Sequence, residues 1–335
     1  RVMRGLEPRR PAPAADGPLV AVERPEPRPG PGELAVAVAA CGVCRTDLQL
    51  CEGDLPARTL PVVPGHQVVG RVTALGPEVD GWALGARVGV AWLAGTCGRC
   101  RFCRSGRENL CEQARFTGWD RDGGYATTVV AGADVCHRLP DGFDDLSAAP
   151  HLCGGVIGYR SLGVAGGGPD GPGRLGLYGF GGSAPCVIQV ARHWGWEVLV
   201  ATRSPAEQAR ARRLGAAWAG GYDEAPPAPL DAAITFAPVG SVVHAALRAT
   251  DRGGTVAINA IHLDRVPEMP YEDLWWERTL RSVANVTRAD CTELLALAAE
   301  IPIRTEIDVL PLAQANEALR RLSAGEVSGA MVLTV

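Results

Sequence analysis

The sequence contains no lysine, and all 33 of its basic residues are arginine. Because acidic residues number 37, the formal net charge is −4, which excludes the strongly basic surface that nucleic-acid-binding proteins use. The longest apolar run, from Leu34 to Cys41, is far shorter than the roughly 20 residues that span a bilayer. Residues 1–30 are rich in proline and arginine and lack the apolar stretch of a secretory signal peptide. We therefore expect neither a nucleic-acid nor a membrane partner.

Eleven cysteines are present, an odd number, and four of them fall between Cys97 and Cys111. A secreted disulfide framework normally uses an even number of cysteines behind a signal peptide. In a reducing compartment such crowding instead indicates metal ligands, with the remaining cysteines as free thiols. We therefore expect a cytoplasmic, metal-binding protein.

A length of 335 residues suits two domains better than one. From Leu19 to about Val135, short apolar alternations are separated by glycine and proline turns, which indicates β-structure. After about residue 153, strands alternate with helices, as is typical of a parallel sheet with crossover helices. The pattern predicts a dinucleotide-binding α/β domain set into a discontinuous β-rich domain. The predicted ranges are 1–153 and 288–335 for the β-rich catalytic domain, and 154–287 for the dinucleotide-binding domain.

The most specific pattern in the chain is the spacing Cys97-x2-Cys100-x2-Cys103-x7-Cys111. Four thiolates at such short separations can close around Zn²⁺ as a tetrahedral site, the arrangement of structural zinc, which leaves no position for a substrate. Iron–sulfur proteins contain similar cysteine runs, and incidental cysteines in a turn-rich loop are a further alternative. We expect structural zinc.

Three more positions stand in distinctive local sequences. Cys44 opens Cys-Arg-Thr-Asp, His66 follows Pro-Gly, and Cys153 follows Ala-Ala-Pro-His-Leu. Two thiolates and one imidazole are one ligand short of a tetrahedron, so a metal held by them keeps a position for a substrate oxygen. Taken singly, a cysteine is usually a small buried apolar residue, and a histidine is usually a hydrogen-bonded core residue or a surface residue. The combination suggests a catalytic zinc site.

These segments, the four-cysteine cluster and a later glycine-rich turn occur in the order found in the zinc-dependent medium-chain alcohol dehydrogenases, which the whole chain resembles. The resemblance implies an α/β fold in which a Rossmann dinucleotide-binding domain is inserted in a β-rich GroES-like catalytic domain. It implies that Cys44, His66 and Cys153 hold catalytic zinc, a match to the Cys₂His ligand set known from alcohol dehydrogenases. It also implies that Asp47 orients His66. Relatives of this length form dimers or tetramers, so we expect a homotetramer or a homodimer.

The resemblance further implies hydride transfer between a nicotinamide cofactor and a small-molecule alcohol and its aldehyde or ketone. Zinc polarises the substrate oxygen, Thr46 hydrogen-bonds that oxygen and passes its proton on, and Arg45 contacts a cofactor phosphate. The chain departs from the common family pattern with Gln67 beside the histidine ligand, Gln49 at the end of the proton path, and Ala330 where an arginine is frequent. Two alternatives stay open: reduction of an activated C=C or C=N bond, and a non-catalytic protein that binds zinc and nucleotide.

A predicted strand, Leu175–Tyr178, leads into a glycine-rich turn and then a helix that reaches Trp194. The pattern GxGxxA between a strand and a helix is typical of dinucleotide binding, because glycines allow the backbone to approach the pyrophosphate closely. The helix N-terminus then offers amide groups to the phosphates. The residues expected at the cofactor here are Gly179, Gly181, Gly182, Ser183 and Ala184.

The end of the following strand bears on the choice of cofactor. An NAD site usually carries Asp or Glu about 20 residues after the glycine turn, where it binds the ribose 2′-hydroxyl. This chain has Thr202, Arg203 and Ser204 there, and the first carboxylate is Glu207. Because a guanidinium with flanking hydroxyls binds a 2′-phosphate well, we expect NADP(H) to be preferred over NAD(H).

Overall fold

A computed structural model of the protein describes residues 2–335. Internal contacts divide these residues into two compact units: 2–153 together with 285–335, and 154–284. Among residues 2–335, no helix combines the length and the apolar character that a membrane crossing requires.

The strands, in chain order, are β1 (Val2–Pro8), β2 (Leu19–Pro25), β3 (Glu33–Val43), β4 (Val68–Leu75), β5 (Arg87–Val90), β6 (Leu93–Gly95), β7 (Arg115–Phe116), β8 (Thr128–Gly132), β9 (Cys136–Arg138), β10 (Arg174–Tyr178), β11 (Glu197–Ala201), β12 (Trp218–Gly220), β13 (Leu230–Thr235), β14 (Thr250–Ile258), β15 (Thr279–Ser282), β16 (Ile307–Pro311) and β17 (Ala330–Thr334). The α-helices are α1 (Arg45–Glu52), α2 (Arg101–Arg104), α3 (Asp145–Ala148), α4 (Gly154–Val164), α5 (Ala184–His193), α6 (Pro205–Arg213), α7 (Gly240–Ala249), α8 (Tyr271–Leu274), α9 (Arg288–Glu300) and α10 (Ala315–Ser323).

The first unit is built on a seven-stranded sheet in the order β16-β17-β3-β4-β5-β9, with β8 also paired to β3. All of its pairs are antiparallel except β16 with β17. The long strand β3 is central and places Leu34, Val36 and Cys41 in the core, which it shares with residues of β4 and β17. Cys44 directly follows β3 and His66 lies two residues before β4, so the pairing of these strands brings two of the predicted metal ligands together.

An antiparallel pair, β1 and β2, precedes that sheet. The β-rich region was expected to start at Leu19, but β1 begins at Val2. Its Met3 and Leu6 are buried in the core of the first unit. The arginines and prolines around these two apolar positions conceal the strand, because few apolar residues remain to show an alternation.

The second unit contains a six-stranded sheet in the order β12-β11-β10-β13-β14-β15, and every neighbouring pair is parallel. The predicted parallel sheet is thus confirmed. Numbered from β10 as the first strand of this unit, the order is 3-2-1-4-5-6, that of a doubly wound dinucleotide-binding fold. Starting from β10, successive strands are first added on one side (β11, β12) and then on the other (β13, β14, β15), so the strand order reverses between β10 and β13. Ligands of such folds bind at the carboxyl ends of the strands at that point.

Helix α4 was not expected, because its sequence holds several glycines, which are poor helix formers. Packing explains one of them. A Cβ on Gly158 would lie 2.7 Å from Val187 Cγ2 of α5, so α4 and α5 can pack this closely only with glycine there. Tertiary contact therefore overrides local propensity in this segment.

Candidate metal centres and dinucleotide site

Cys44, His66 and Cys153 converge in the first unit. Cys44 occupies the position before α1, His66 lies just before β4, and Cys153 follows the short 3-10 helix Ala149–Leu152. His66 Nε2 lies 3.3 Å from Cys44 Sγ and 3.3 Å from Cys153 Sγ. All three potential ligand atoms lie within 4.8 Å of one another. Segments distant in sequence thus bring two sulfurs and one imidazole nitrogen to one point.

The charges at this point favour a cation. A hydrogen bond with Cys153 lowers the pKa of the Cys44 thiol well below its usual range, although burial opposes this. Burial by itself would lower the pKa of His66, but the Cys44 thiolate and the Asp47 carboxylate raise that pKa to about 10. A half-buried thiolate and a buried carboxylate therefore draw positive charge to His66.

Asp47 connects three parts of this centre. Its Oδ2 accepts a hydrogen bond from the Cys44 amide at 2.9 Å, its Oδ1 accepts one from the Gly65 amide at 3.1 Å, and Oδ1 also lies 3.3 Å from His66 Nδ1. The first contact belongs to a capping box at the start of α1. Because Nδ1 faces the carboxylate, Nε2 is the nitrogen directed at the two sulfurs. Asp47 thus fixes the orientation of the His66 ring.

Gly65 explains how His66 enters this position. Its φ of +96° is one that L side chains rarely adopt, and a Cβ there would lie 2.5 Å from the Tyr125 ring and 2.8 Å from Cys41 Sγ. Glycine is therefore required twice, once for the backbone turn and once for the close packing. The Tyr125 and Gly124 amides donate hydrogen bonds to the loop carbonyls of Pro64 and Gly65, at 2.9 and 2.8 Å, so the loop is held on both sides.

The donor set fits zinc. Ligands 2.0–2.3 Å from one tetrahedral ion lie roughly 3.5 Å apart, which is close to the observed nitrogen–sulfur separations of 3.3 Å. Thiolate and imidazole are ligands that zinc accepts, and three protein ligands leave a fourth position for a substrate.

An aromatic stack lies beside this centre. The Trp92 ring meets the His66 ring edge-on, with 4.8 Å between centroids, and stacks on Phe116 at 4.8 Å and on Trp119 at 5.9 Å. The Arg58 guanidinium packs on the Trp119 ring, 3.8 Å from its centroid. Trp92 Nε1 donates to Asn285 Oδ1 at 3.3 Å, which ties the stack to the start of the C-terminal segment of this unit. The stack thus supplies an apolar wall next to His66.

The four clustered cysteines form a second group in the first unit. The sulfurs of Cys97, Cys100, Cys103 and Cys111 all lie within 4.8 Å of one another. Main-chain amides of Cys97, Cys100 and Cys103 donate hydrogen bonds to sulfurs of the cluster at 3.4–3.5 Å. Amide donation from Arg99 and Cys100 lowers the pKa of the Cys97 thiol to about 6, which favours the thiolate that a metal binds.

The segment around these cysteines, residues 93–119, has little to hold it together without a metal; we call it the cysteine lobe. Its regular structure is limited to the two-stranded sheet β6–β7, helix α2 and the 3-10 helix Glu108–Leu110. Its small core consists of Leu93, Cys111, Ala114 and Phe116. Four thiols within reach of one ion can replace the missing core, as in small zinc-bound modules.

The second unit contains a cavity of about 670 Å³ at the carboxyl ends of β10 and β11. The glycine-rich turn lines one side of it. Gly179 has a φ of +95°, and a Cβ there would lie 3.2 Å from the Ala237 amide, so both conformation and space require glycine. A Cβ on Gly181 or Gly182 would meet nothing within 4 Å, so the backbone is open to a ligand at both. Ser183 also lines the cavity, and Ala184 begins α5 with its side chain buried.

Thr202, Arg203 and Ser204, at the carboxyl end of β11, line the same cavity. Glu207, the first carboxylate after the strand end, lines it too from helix α6, a position that its distance along the sequence did not predict. The Ser204 hydroxyl caps that helix by accepting a hydrogen bond from the Glu207 amide at 3.3 Å. The Ser-x-x-Glu capping signature is the feature of the sequence that could have placed Glu207 next to the strand end.

Comparison with known proteins identifies the family. Residues 30–141 match the alcohol dehydrogenase GroES-like domain. The chain is 51% identical over 333 residues to the protein named "Probable alcohol dehydrogenase AdhA" of Mycobacterium tuberculosis, which covers 98% of this chain and 96% of that protein. The chain belongs to the medium-chain alcohol dehydrogenase family. The predicted family and the predicted fold, with a GroES-like domain and a Rossmann sheet, are thus confirmed.

Two solved alcohol dehydrogenases share the fold along the full length of the chain. A cinnamyl alcohol dehydrogenase from Sorghum bicolor is 26% identical, with a TM-score of 0.89 over 100% of this chain and 98% of that one. A cobalt- and zinc-bound thermostable alcohol dehydrogenase from Pyrobaculum aerophilum is 26% identical, with a TM-score of 0.88 over 100% of both chains. This alcohol dehydrogenase is accordingly a pyridine-nucleotide-dependent oxidoreductase of alcohols and aldehydes.

Four further residues were discussed from the family pattern, and the structure gives the surroundings of each. Arg45 is exposed at the first position of α1, whereas Gln49, one turn after Thr46, is half-buried. The side-chain oxygen of buried Gln67 packs over Gly42, since a Cβ there would lie 2.6 Å from it. Ala330 begins β17, where its amide donates to the Glu306 carbonyl at 2.9 Å.

Proposed function

We propose that this alcohol dehydrogenase uses two zinc ions per chain and prefers NADP(H), and that it acts as an alcohol dehydrogenase and aldehyde reductase. The observation that carries the proposal is the convergence of Cys44, His66 and Cys153, with the four-cysteine cluster as a second ligand set. The first set would hold the catalytic ion and the second the structural ion. Elemental analysis of carefully prepared protein tests the count: two zinc ions per chain are expected, and one or none would contradict it.

The residues around the first set have separate tasks. Zinc bound there would supply Lewis-acid polarisation of the alcohol or carbonyl oxygen. Cys44 and Cys153 provide negative charge, and Asp47 holds His66 so that Nε2 faces the sulfurs. Thr46 lies two residues after Cys44, in the first turn of α1, and is half-buried, so its hydroxyl is suited to hydrogen-bond the substrate oxygen and to accept or donate its proton.

The proton path gives a testable difference between two residues of α1. Gln49 lies three positions after Thr46, on the same helix face, but an amide does not titrate near neutral pH. We expect Thr46→Ala to lower kcat for alcohol oxidation roughly 100-fold or more, the lower range for general acid–base catalysis, while Gln49→Ala lowers it only a few-fold. Gln49→His should add a titration near pH 6.5 to the kcat profile. A profile identical to that of the wild type would count against this path.

Cofactor preference is the second testable part of the proposal. Exposed Arg203 and half-buried Ser204 border the cavity, where a guanidinium and a hydroxyl can bind the 2′-phosphate of NADP(H). Such charge-assisted hydrogen bonds are worth about 1.5–3 kcal/mol, or roughly a 10- to 150-fold preference in binding. Arg203→Ala should therefore reduce the preference for NADPH, mainly by raising the KM for NADPH.

The measurement is kcat/KM for NADH and NADPH at one pH and one ionic strength, in the wild type and in Arg203→Ala. Arg213→Ala, at the other end of α6, is the matched control and should leave both values unchanged. If the wild type uses NADH more efficiently than NADPH, the interpretation of Thr202 and Arg203 is wrong.

A homodimer or homotetramer remains part of the proposal. Tyr271, Trp275 and Trp276 are exposed on the second unit, and β15 occupies an edge of its sheet. Exposed aromatic clusters and open sheet edges are unfavourable on an isolated monomer, which supports an interface between copies. A cytoplasmic location is likewise proposed, since none of the eleven cysteines, all within residues 2–335, forms a disulfide. Light scattering coupled to size-exclusion chromatography measures the number of copies directly.

A further inference from the structure

Glu207 reaches back from helix α6 to the end of β11. It is the third residue of the helix, and its Oε2 accepts a hydrogen bond from the hydroxyl of Thr202, the first residue after the strand. Thr202 is buried and held by its own backbone, because its amide donates to the Gly220 carbonyl at 2.8 Å and its carbonyl accepts from Gln208 Nε2 at 2.8 Å. The carboxylate is therefore anchored at the strand end and not free to swing into solvent.

Two opposite charges thus border the same part of the cavity. Arg203, between the anchored Thr202 and the capping Ser204, is exposed, whereas Glu207 is half-buried. Tyr222 lines the cavity as well, and its pKa is raised by burial and by Glu207 and lowered by Thr202 and Arg203, which places all four groups close together. A ligand at this point meets a cation and an anion.

We propose that Glu207 accepts a hydrogen bond from the adenosine ribose 2′-hydroxyl and opposes a 2′-phosphate, so that it limits the preference for NADP(H) that Arg203 creates. The inference rests on the proposed binding of a dinucleotide in this cavity. Glu207 thereby takes the place of the strand-end carboxylate that the sequence lacks, although it belongs to the next helix.

The chemistry of the carboxylate supports this role. A carboxylate has several acceptor positions on its two oxygens, and the Thr202 hydroxyl occupies one of those on Oε2. The remaining positions can accept from a ribose hydroxyl, which is a donor, but not from a dianionic phosphate. Like charges about 5 Å apart repel each other even at partly exposed sites, where solvent screens them incompletely. We expect this repulsion to weaken the binding of NADPH about tenfold, which corresponds to roughly 1.4 kcal/mol.

The test is the dissociation constants of NADH and NADPH with the intact protein, measured by quenching of tryptophan fluorescence at one pH and one ionic strength. In Glu207→Gln we expect NADPH to bind about tenfold more tightly and NADH to bind a few-fold more weakly. Glu207→Asp keeps the charge and should keep the ratio of the two constants near that of the wild type. Glu197→Gln removes the same charge from the opposite end of β11, where Glu197 pairs with Arg174, and should leave both constants unchanged within about twofold.

The same comparison can be made with the adenosine halves of the two cofactors alone. Adenosine 2′,5′-bisphosphate replaces NADPH, and 5′-AMP replaces NADH. Glu207→Gln should tighten binding of the bisphosphate and not that of 5′-AMP. The role of Glu207 is refuted if the ratio of the NADH and NADPH dissociation constants in Glu207→Gln equals that of the wild type. It is also refuted if Glu197→Gln changes this ratio by the same amount. The proposed dinucleotide site is unaffected by either result. If the wild type binds neither dinucleotide, the proposed site itself fails, and the inference fails with it.

Discussion

Cys44→Ser should abolish turnover, with kcat/KM falling by at least about a thousandfold, while the protein remains folded. A serine hydroxyl does not ionise near neutral pH and is a poor zinc ligand, so the set would keep only His66 and Cys153. Loss of Lewis-acid stabilisation worth several kcal/mol corresponds to a loss of three or more orders of magnitude in rate. Cys44 is half-buried and precedes α1, so its replacement disturbs the core little.

Three measurements separate this effect from misfolding: kcat/KM, zinc per chain and thermal midpoint. The zinc count should fall from two to one, with the midpoint close to that of the wild type. Cys136→Ser is the matched control, since Cys136 is a half-buried thiol of the same unit outside both ligand sets. Turnover in Cys44→Ser that equals turnover in Cys136→Ser would show that Cys44 holds no catalytic metal.

Cys100→Ser should strongly lower the stability of the protein, the second large effect that we expect. The cysteine lobe has a core of four residues and hardly any regular structure, so its fold depends on closing the tetrahedral site. Opening that site should cost several kcal/mol, which corresponds to a thermal midpoint lower by roughly 5–15 °C in a protein of this size. Activity of the protein that remains folded should fall much less than in Cys44→Ser.

Trypsin offers a local readout of the same change. It cleaves after arginine in this lysine-free chain, and the lobe carries Arg99, Arg101, Arg104 and Arg107 around its cysteines. Zinc-bound wild type should resist cleavage there, whereas Cys100→Ser should be cut within the lobe first, because segments that open locally are cleaved first. A midpoint and a cleavage pattern equal to those of the wild type would show that the lobe folds without metal.

The sequence points to the two metal-ligand sets in different ways, to the clustered cysteines by their spacing and to the other set only by short local motifs. The sulfurs of Cys97, Cys100 and Cys103 follow one another within one tight segment, so spacing alone brings them together. For Cys44 and His66 the sequence shows only the local motifs. Their meeting depends on the pairing of β3 with β4, a long-range contact, and was predicted from family resemblance.

The positions that the sequence did not show depend on tertiary contacts. Helix α4 is rich in glycine, and it forms because Gly158 allows α5 to approach closely. Glu207 lies in a helix, and only the hydrogen bond with Thr202 brings its charge to the strand end. Counting residues after the glycine turn locates a carboxylate on the strand, but it does not detect one that reaches the same place from the next element.

The position of β17 in its sheet also determines the order in which the protein can be completed during synthesis. β17 lies between β16 and β3, although the whole second unit separates β3 from β17 in sequence. On the ribosome, Gly154–Ala284 can fold as one continuous stretch, whereas the part of β3 from Ala40 to Val43 must wait until β17, its partner on that edge, has emerged. During that interval the nascent chain already contains Cys44, His66 and Cys153 but exposes an apolar strand edge, so chaperones should bind the growing chain at β3.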